Sequence, residues 1–182
     1  MPEYYLDIET NARGEKPDIN DEILTIQFQR LGTKTGEEEG DLTILKSWES
    51  SEKEILKEFY FIFSPDNPFK FVPIGENLSF DFFALHHRWQ SIGINVPLKT
   101  LIYDHPCIDI KSILVIFNEG SFKGASLKAI FGKTGGVKVP EWYANGNYNA
   151  IEDYIRREAE DFIQFYQKLK KELPLCQIKS VK

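Results

Sequence analysis

Apolar and polar positions along the first fifty residues follow strand-like patterns. Tyr4 to Ile8 is a short β-branched and aromatic run, and the polar, Gly- and Pro-bearing stretch NARGEKPDIND after it predicts a strand and then a loop. Ile23 to Leu31 (ILTIQFQRL) alternates, with Ile26, Phe28 and Arg30 on one face and Thr25, Gln27 and Gln29 on the other. After the acidic turn TGEEEGD, the segment LTILKSW predicts a third strand, so the three form an antiparallel meander.

The pattern then turns helical. Ser50 to Phe63 opens with SSEKEILKEF, where Glu54 lies three residues after Ser51, a capping-box arrangement with Ile55, Leu56, Phe59 and Ile62 on the apolar face. Pro65 and Pro68 close that helix. Phe69 to Ile74 is a short apolar run ending at Gly75, and a second helix is expected from about Ser79 through Arg88. From Pro106, CIDIKSILVIF predicts a short strand or helix, and ASLKAIFG a small helix ending at Gly132. The stretch GKTGGVKVPEWYANGNYN is rich in glycine, asparagine and lysine and is expected to be a mobile loop. Ile151 to Leu173 carries Tyr154, Ile155, Phe162, Phe165, Tyr166 and Leu169 at helical spacing, and Pro174 ends it. No repeat or linker interrupts residues 1–182, so one α/β domain with a mixed sheet is expected.

Composition narrows the function classes. A chain of 182 residues can bury a core without staples. Its net charge of −6 excludes a strongly basic, nucleic-acid-coating protein, so any nucleic-acid role must come from a local site. Cys107 and Cys176 suggest neither a disulfide framework nor a zinc cluster, and a reducing cytoplasm is the expected compartment. The start of the chain lacks a secretory pattern, and no window approaches the roughly 18 apolar residues of a membrane helix, so a soluble protein with no membrane partner is expected.

Three features carry chemistry. Asp7 and Glu9 are two apart on the first strand, so both carboxylates share a face, where they are tolerable only in water or around a cation. Exposed acids on a strand edge are the ordinary alternative, but the bulky apolar YYL before Asp7 marks a buried strand. The heptapeptide Gly75-Glu76-Asn77-Leu78-Ser79-Phe80-Asp81 places Asp81 in the first turn of a helix, a position the helix dipole also favours on its own. Tyr154, Glu158 and Asp161 lie at i, i+4 and i+7 of the last helix, where a solvated acidic flank is the plain alternative.

Together these motifs resemble the three exonuclease motifs of the DEDD superfamily, tyrosine subclass: Asp7-Ile8-Glu9-Thr10, then Gly75 to Asp81, then Tyr154 with an acid four residues on. That family comprises 3′–5′ exonucleases with a ribonuclease-H-like fold, including the proofreading domains of DNA polymerases. The resemblance spans almost the whole chain and implies a mixed five-stranded sheet flanked by helices. It also implies a metal-dependent 3′–5′ exonuclease acting on single-stranded 3′ ends, DNA favoured, with two divalent cations, Mg²⁺ or Mn²⁺. By the same resemblance Asp7 would bridge both ions, Glu9 and Glu158 would complete one, Asp81 would serve the other, and Tyr154 would orient the attacking water. Thr10 and Asn77 would contact the terminal nucleotide. The third motif departs from the pattern, with Glu158 where the family carries aspartate, and Asp161 is its rival one turn on.

Other signals are set aside. Gly132 to Thr134 reads GKT, but a phosphate loop needs glycine where Leu127 stands. His86 and His87 diverge by about 100° on a helix and cannot chelate one ion. Trp142, Tyr143 and Tyr148 suit either base stacking or loop anchoring, and Lys123, Lys128, Lys133 and Lys138 either phosphate contact or a solvated face. Two further readings stay open: a non-catalytic nucleic-acid-binding or polymerase-accessory module, and an RNA-directed exonuclease.

Overall fold

The meander forms where the alternation places it. In the computed structural model, which describes residues 1–14, 17–131 and 138–173, β1 (Glu3–Thr10) pairs antiparallel with β2 (Ile23–Leu31), and β2 with β3 (Thr43–Lys46). Parallel pairing adds β4 (Val72–Gly75) beside β1 and β5 (Ile108–Asp109) beside β4, giving the order β3-β2-β1-β4-β5. The expected mixed five-stranded sheet is thus present, with β1 at its centre. Strands paired in parallel are reached through helical crossovers, which cover the faces of the sheet. Both faces of β2 are accordingly buried, including Thr25, Gln27 and Gln29.

One face packs on α1 (Glu52–Phe63) and α2 (Leu78–Ser91), where Leu6, Ile8 and Ile26 meet Phe59, Phe63, Phe71, Phe82 and Trp89. The Trp89 indole donates to the Leu56 carbonyl at 2.9 Å, so this buried aromatic keeps its polar atom satisfied. Half of the capping box is realised: the Ser51 hydroxyl accepts from the Glu54 N–H at 3.2 Å, while Glu54 turns outward to Lys57. Glu52 receives the Ile23 N–H at 2.8 Å and a bidentate grip from Arg88, which ties α1, α2 and β2 together.

The opposite face is covered by α6 (Tyr148–Glu172), whose Phe162 ring lies 4.9 Å from that of Tyr5. Buried Glu3 fastens the far end, accepting from the Tyr166 hydroxyl at 2.8 Å and from Lys170 at 3.0 Å. Between β5 and α6 lie α3 (Lys111–Phe117), α4 (Leu127–Phe131) and α5 (Val139–Ala144).

The expectation of a mobile loop before the last helix is corrected over its described part. Val139–Ala144 is helical, and α6 begins at Tyr148, three residues earlier than its apolar spacing suggests. Buried aromatic surface is the reason: Tyr148 stacks on Trp48 at 4.8 Å, Tyr143 packs beside both, and Pro140 occupies the first turn of α5, where its missing N–H costs nothing. Gly132 to Thr134 with Lys133, and Pro174 and Cys176, fall outside the described residues. Among the described residues no helix is long and apolar enough to cross a membrane.

The turn after β4 depends on Gly75. A Cβ there would sit 2.6 Å from Leu78 Cδ2 and 2.7 Å from the Leu6 carbonyl oxygen, which belongs to the central strand and cannot retreat. Gly75→Ala is expected to destabilise the fold by about 1–3 kcal/mol, measured as a lower midpoint in urea denaturation.

Candidate functional site

Period-two alternation puts Glu3, Tyr5, Asp7 and Glu9 on the face of β1 that α6 covers. The last helix crosses that face with Tyr154, Glu158 and Asp161 on its near side. As a result, Asp7, Glu9 and Glu158 each present a carboxylate oxygen within 4.8 Å of the other two, and all three are partly exposed. Asp161 does not join this group; it lines the adjoining cleft together with Tyr154 and Glu158. That cleft measures ≈ 320 Å³, within the usual range for small-ligand sites, and Tyr5, Glu76, Asn77, Lys128 and Phe131 also border it.

Asp81 reaches the site from the first turn of α2 and is only 4% exposed. The Ile8 N–H serves both the Asp7 and the Asp81 carboxylates. The turn that delivers Asp81 holds Asn77 in the left-handed region, at φ 63°, without a side-chain cap. It is pinned instead by Asp109, whose Oδ1 accepts from the N–H groups of Asn77 and Lys111, both at 2.9 Å. Asn77 is exposed on the cleft wall, whereas Thr10 is buried at the strand end, past a register shift between Glu9 and Thr10.

Crowding of like charges dominates the electrostatics. Burial and then the neighbouring Glu158 push the Asp7 carboxyl up to about 8, against a smaller lowering by its hydrogen bond from Gln27. Burial, with Asp7 the next cause, raises Glu9 and Asp81 well above the ordinary carboxylate range. Burial, Glu9 and Glu158 likewise raise the Tyr154 phenol, which is hydrogen-bonded to Glu158. In the absence of positive charge the cluster keeps protons that isolated carboxyls release. An all-oxygen donor set under such repulsion fits a hard divalent cation, whose charge removes the reason to hold those protons.

Several contributors escape the sequence reading. Gln27 stands opposite Asp7 across the β1–β2 pair and donates to its Oδ2 at 2.8 Å. Glu76 accepts from the Leu127 N–H at 2.9 Å and from Lys111 at 3.3 Å, joining the turn after β4 to α4 at the cleft wall. The only hint of Gln27 in the sequence is its place in the alternation, which gains meaning once the register is known.

Tyr143 and Tyr148 are packed on Trp48, and Trp142 lies 6.1 Å from the Tyr154 ring, so this aromatic group anchors α5 on α6. The His86 ring is engaged with the Val96 carbonyl at 2.9 Å, and His87 is exposed. Lys123, Lys128 and Lys138 are exposed, with Lys128 at the cleft.

These shifts set the pH dependence of the cation-free protein. The folded Asp7 carboxyl, near 8, binds a proton that the unfolded chain has released above about pH 4, so its contribution is fully present below the unfolded value and lost as pH rises through 8. The melting temperature in chelator is expected to fall from pH 6 to 9, and Asp7→Asn to flatten that slope, both readable by circular dichroism.

Neither a protein-family model nor a curated protein sequence matches the chain. Among solved structures, the family B DNA polymerase from the hyperthermophilic archaeon Pyrobaculum calidifontis superposes with a TM-score of 0.65 at 17% identity, over 95% of this chain and 24% of that one. Exonuclease I in its apo form gives 0.48 at 13% identity over 64% of this chain and 30% of that one. The metal-free complex of E. coli exonuclease I with single-stranded DNA gives the same values. The chain therefore spans about a quarter of the polymerase's length and under a third of exonuclease I. At these identities the likeness is one of fold, a ribonuclease-H-like α/β arrangement with a mixed five-stranded sheet flanked by helices.

Proposed function

We propose that this chain is a metal-dependent 3′–5′ exonuclease that removes nucleotides from single-stranded ends, DNA favoured over RNA. The observation that carries the reading is the convergence of Asp7 and Glu9 from β1 with Glu158 from α6 inside 4.8 Å, beside buried Asp81 and a Tyr154 bonded to Glu158. Four acids drawn from three distant parts of a chain, at the cost of mutual repulsion, serve a purpose that packing does not supply.

In this reading Asp7, Glu9 and Glu158 would hold one divalent cation and Asp81, with Asp7, would hold a second; Mg²⁺ and Mn²⁺ suit such ligands better than zinc. When bound, such cations would supply Lewis-acid chemistry, lowering the pKa of a water and offsetting charge on a phosphate. Glu158 retains the role of ligand although it replaces aspartate, and Asp161 is the alternative one turn away. The Tyr154 phenol keeps its proton at neutral pH and gives it in a hydrogen bond to Glu158, so its oxygen would position the attacking water by accepting a hydrogen bond from it, without taking up a proton. Asn77 and Lys128, on the cleft wall, meet the terminal nucleotide, and Thr10 supports the end of the strand that carries Glu9.

The test is release of mononucleotides from DNA and RNA strands labelled at either end, with Mg²⁺, Mn²⁺ or chelator. Release from the 3′ end that stops in chelator is expected, with Asp7→Ala and Asp81→Ala reduced to background. Tyr154→Phe should retain folding and lower kcat by about 100-fold, the lower range for a positioned proton-bearing group. Strand binding with no cleavage by the parent protein under any of these conditions would replace the nuclease reading with that of a non-catalytic binding module.

A further inference from the structure

The polar face of β2 is buried beneath the acids of β1. Thr25 stands opposite Glu9 and Gln27 opposite Asp7 in the antiparallel register, and both polar side chains are fully buried, at 0% exposure. A Thr and a Gln sealed from water in the second strand of a sheet have no packing advantage over Val and Met. Each must find a partner inside the protein or forfeit its hydrogen bonds at a cost of about 1–3 kcal/mol. They find each other and Asp7: the Thr25 hydroxyl donates to Gln27 Oε1 at 2.9 Å, and Gln27 Nε2 donates to Asp7 Oδ2 at 2.8 Å.

The direction of this chain follows from its last member. Gln27 turns its NH₂ group to Asp7 and its carbonyl to Thr25, which donates; this is the orientation that an ionised, cation-holding Asp7, able only to accept, requires. Every link is satisfied only in that orientation, and no water competes with it at these buried atoms. Fixing Oδ2 also fixes the rotation of the Asp7 carboxylate, so that the lone pairs not engaged by Gln27 and the Ile8 amide are the ones a cation would take.

We propose that Thr25 and Gln27 form a positioning relay that orients the ionised Asp7 carboxylate for cation binding. The proposal rests on the reading of Asp7, Glu9 and Glu158 as a metal cage. Neither relay residue touches the cation or substrate; they act through Asp7, as partners behind a metal ligand do elsewhere, where losing one weakens metal affinity by about 10–100-fold.

The experiment is a calorimetric titration of the full chain with Mn²⁺ alone, beside thermal melts in chelator. The parent is expected to bind Mn²⁺ and Asp7→Asn to lose that binding. Gln27→Met, close in volume but without the donor, should bind about 10–100-fold more weakly while keeping a cooperative melt. Thr25→Val should weaken binding in the same direction, and Thr25→Ser, which restores the hydroxyl, should recover the parental affinity. Parental affinity in Gln27→Met or Thr25→Val would overturn the relay and leave the cage standing. A loss in Thr25→Ser equal to that in Thr25→Val would also overturn it, since packing would then be the cause. A parent protein that takes up no Mn²⁺ would overturn the cage and the relay with it. Should Gln27→Met not fold, the pair of Thr25 substitutions decides.

Discussion

Repulsion among the carboxylates on β1 is the constraint around which the rest of this protein is arranged. A central strand, hydrogen-bonded on both edges and covered on both faces, is the least hospitable place for acids. Here it carries Glu3, Asp7 and Glu9, and the first two are accommodated differently. Glu3 has its charge met by Lys170 and the Tyr166 hydroxyl. Asp7 has Gln27 and the Ile8 amide, and among the described residues no lysine or arginine is paired with it. Glu3 thus has its charge offset within the fold, whereas the acids nearer the cleft crowd one another.

The same constraint explains the construction around Asp81. A second buried acid facing Asp7 is held in place only if its turn is rigid. Gly75 permits the close approach to Leu6, Asn77 accepts a left-handed backbone, and Asp109 binds the Asn77 amide in the turn together with the Lys111 amide at the start of α3. Asp109 itself raises the proton affinity of Asp81 further. The arrangement thus adds negative charge to hold negative charge.

Much of this was legible from residue order. Alternation in Ile23 to Leu31 marks β2 to the residue, Ser51 marks the start of α1, and the i, i+4, i+7 spacing of Tyr154, Glu158 and Asp161 puts them on one side of α6. Pairwise register was not legible, because period-two patterns specify faces and leave open which residues stand opposite. Gln27 therefore read as a polar position with no special part. The helix Val139–Ala144 was hidden for a related reason: its glycine- and asparagine-rich surroundings have low local propensity, and the surface that stabilises it, Trp48, lies on the far side of the sequence. Choosing between Glu158 and Asp161 likewise needs the angle at which α6 crosses β1.

That angle is held at two points. A helix of 25 residues is about 37 Å long, and α6 is gripped near its start by the stack of Tyr148 on Trp48 and near its end by Glu3 on Tyr166 and Lys170. It behaves as a beam clamped at both ends with Glu158 in the span between. Glu158 and Asp161 differ by about 60° around the helix axis, so a modest roll would exchange one acid for the other. A single clamp would leave that torsion open; two clamps on opposite sides of the span suppress it, and so decide which carboxylate faces Asp7.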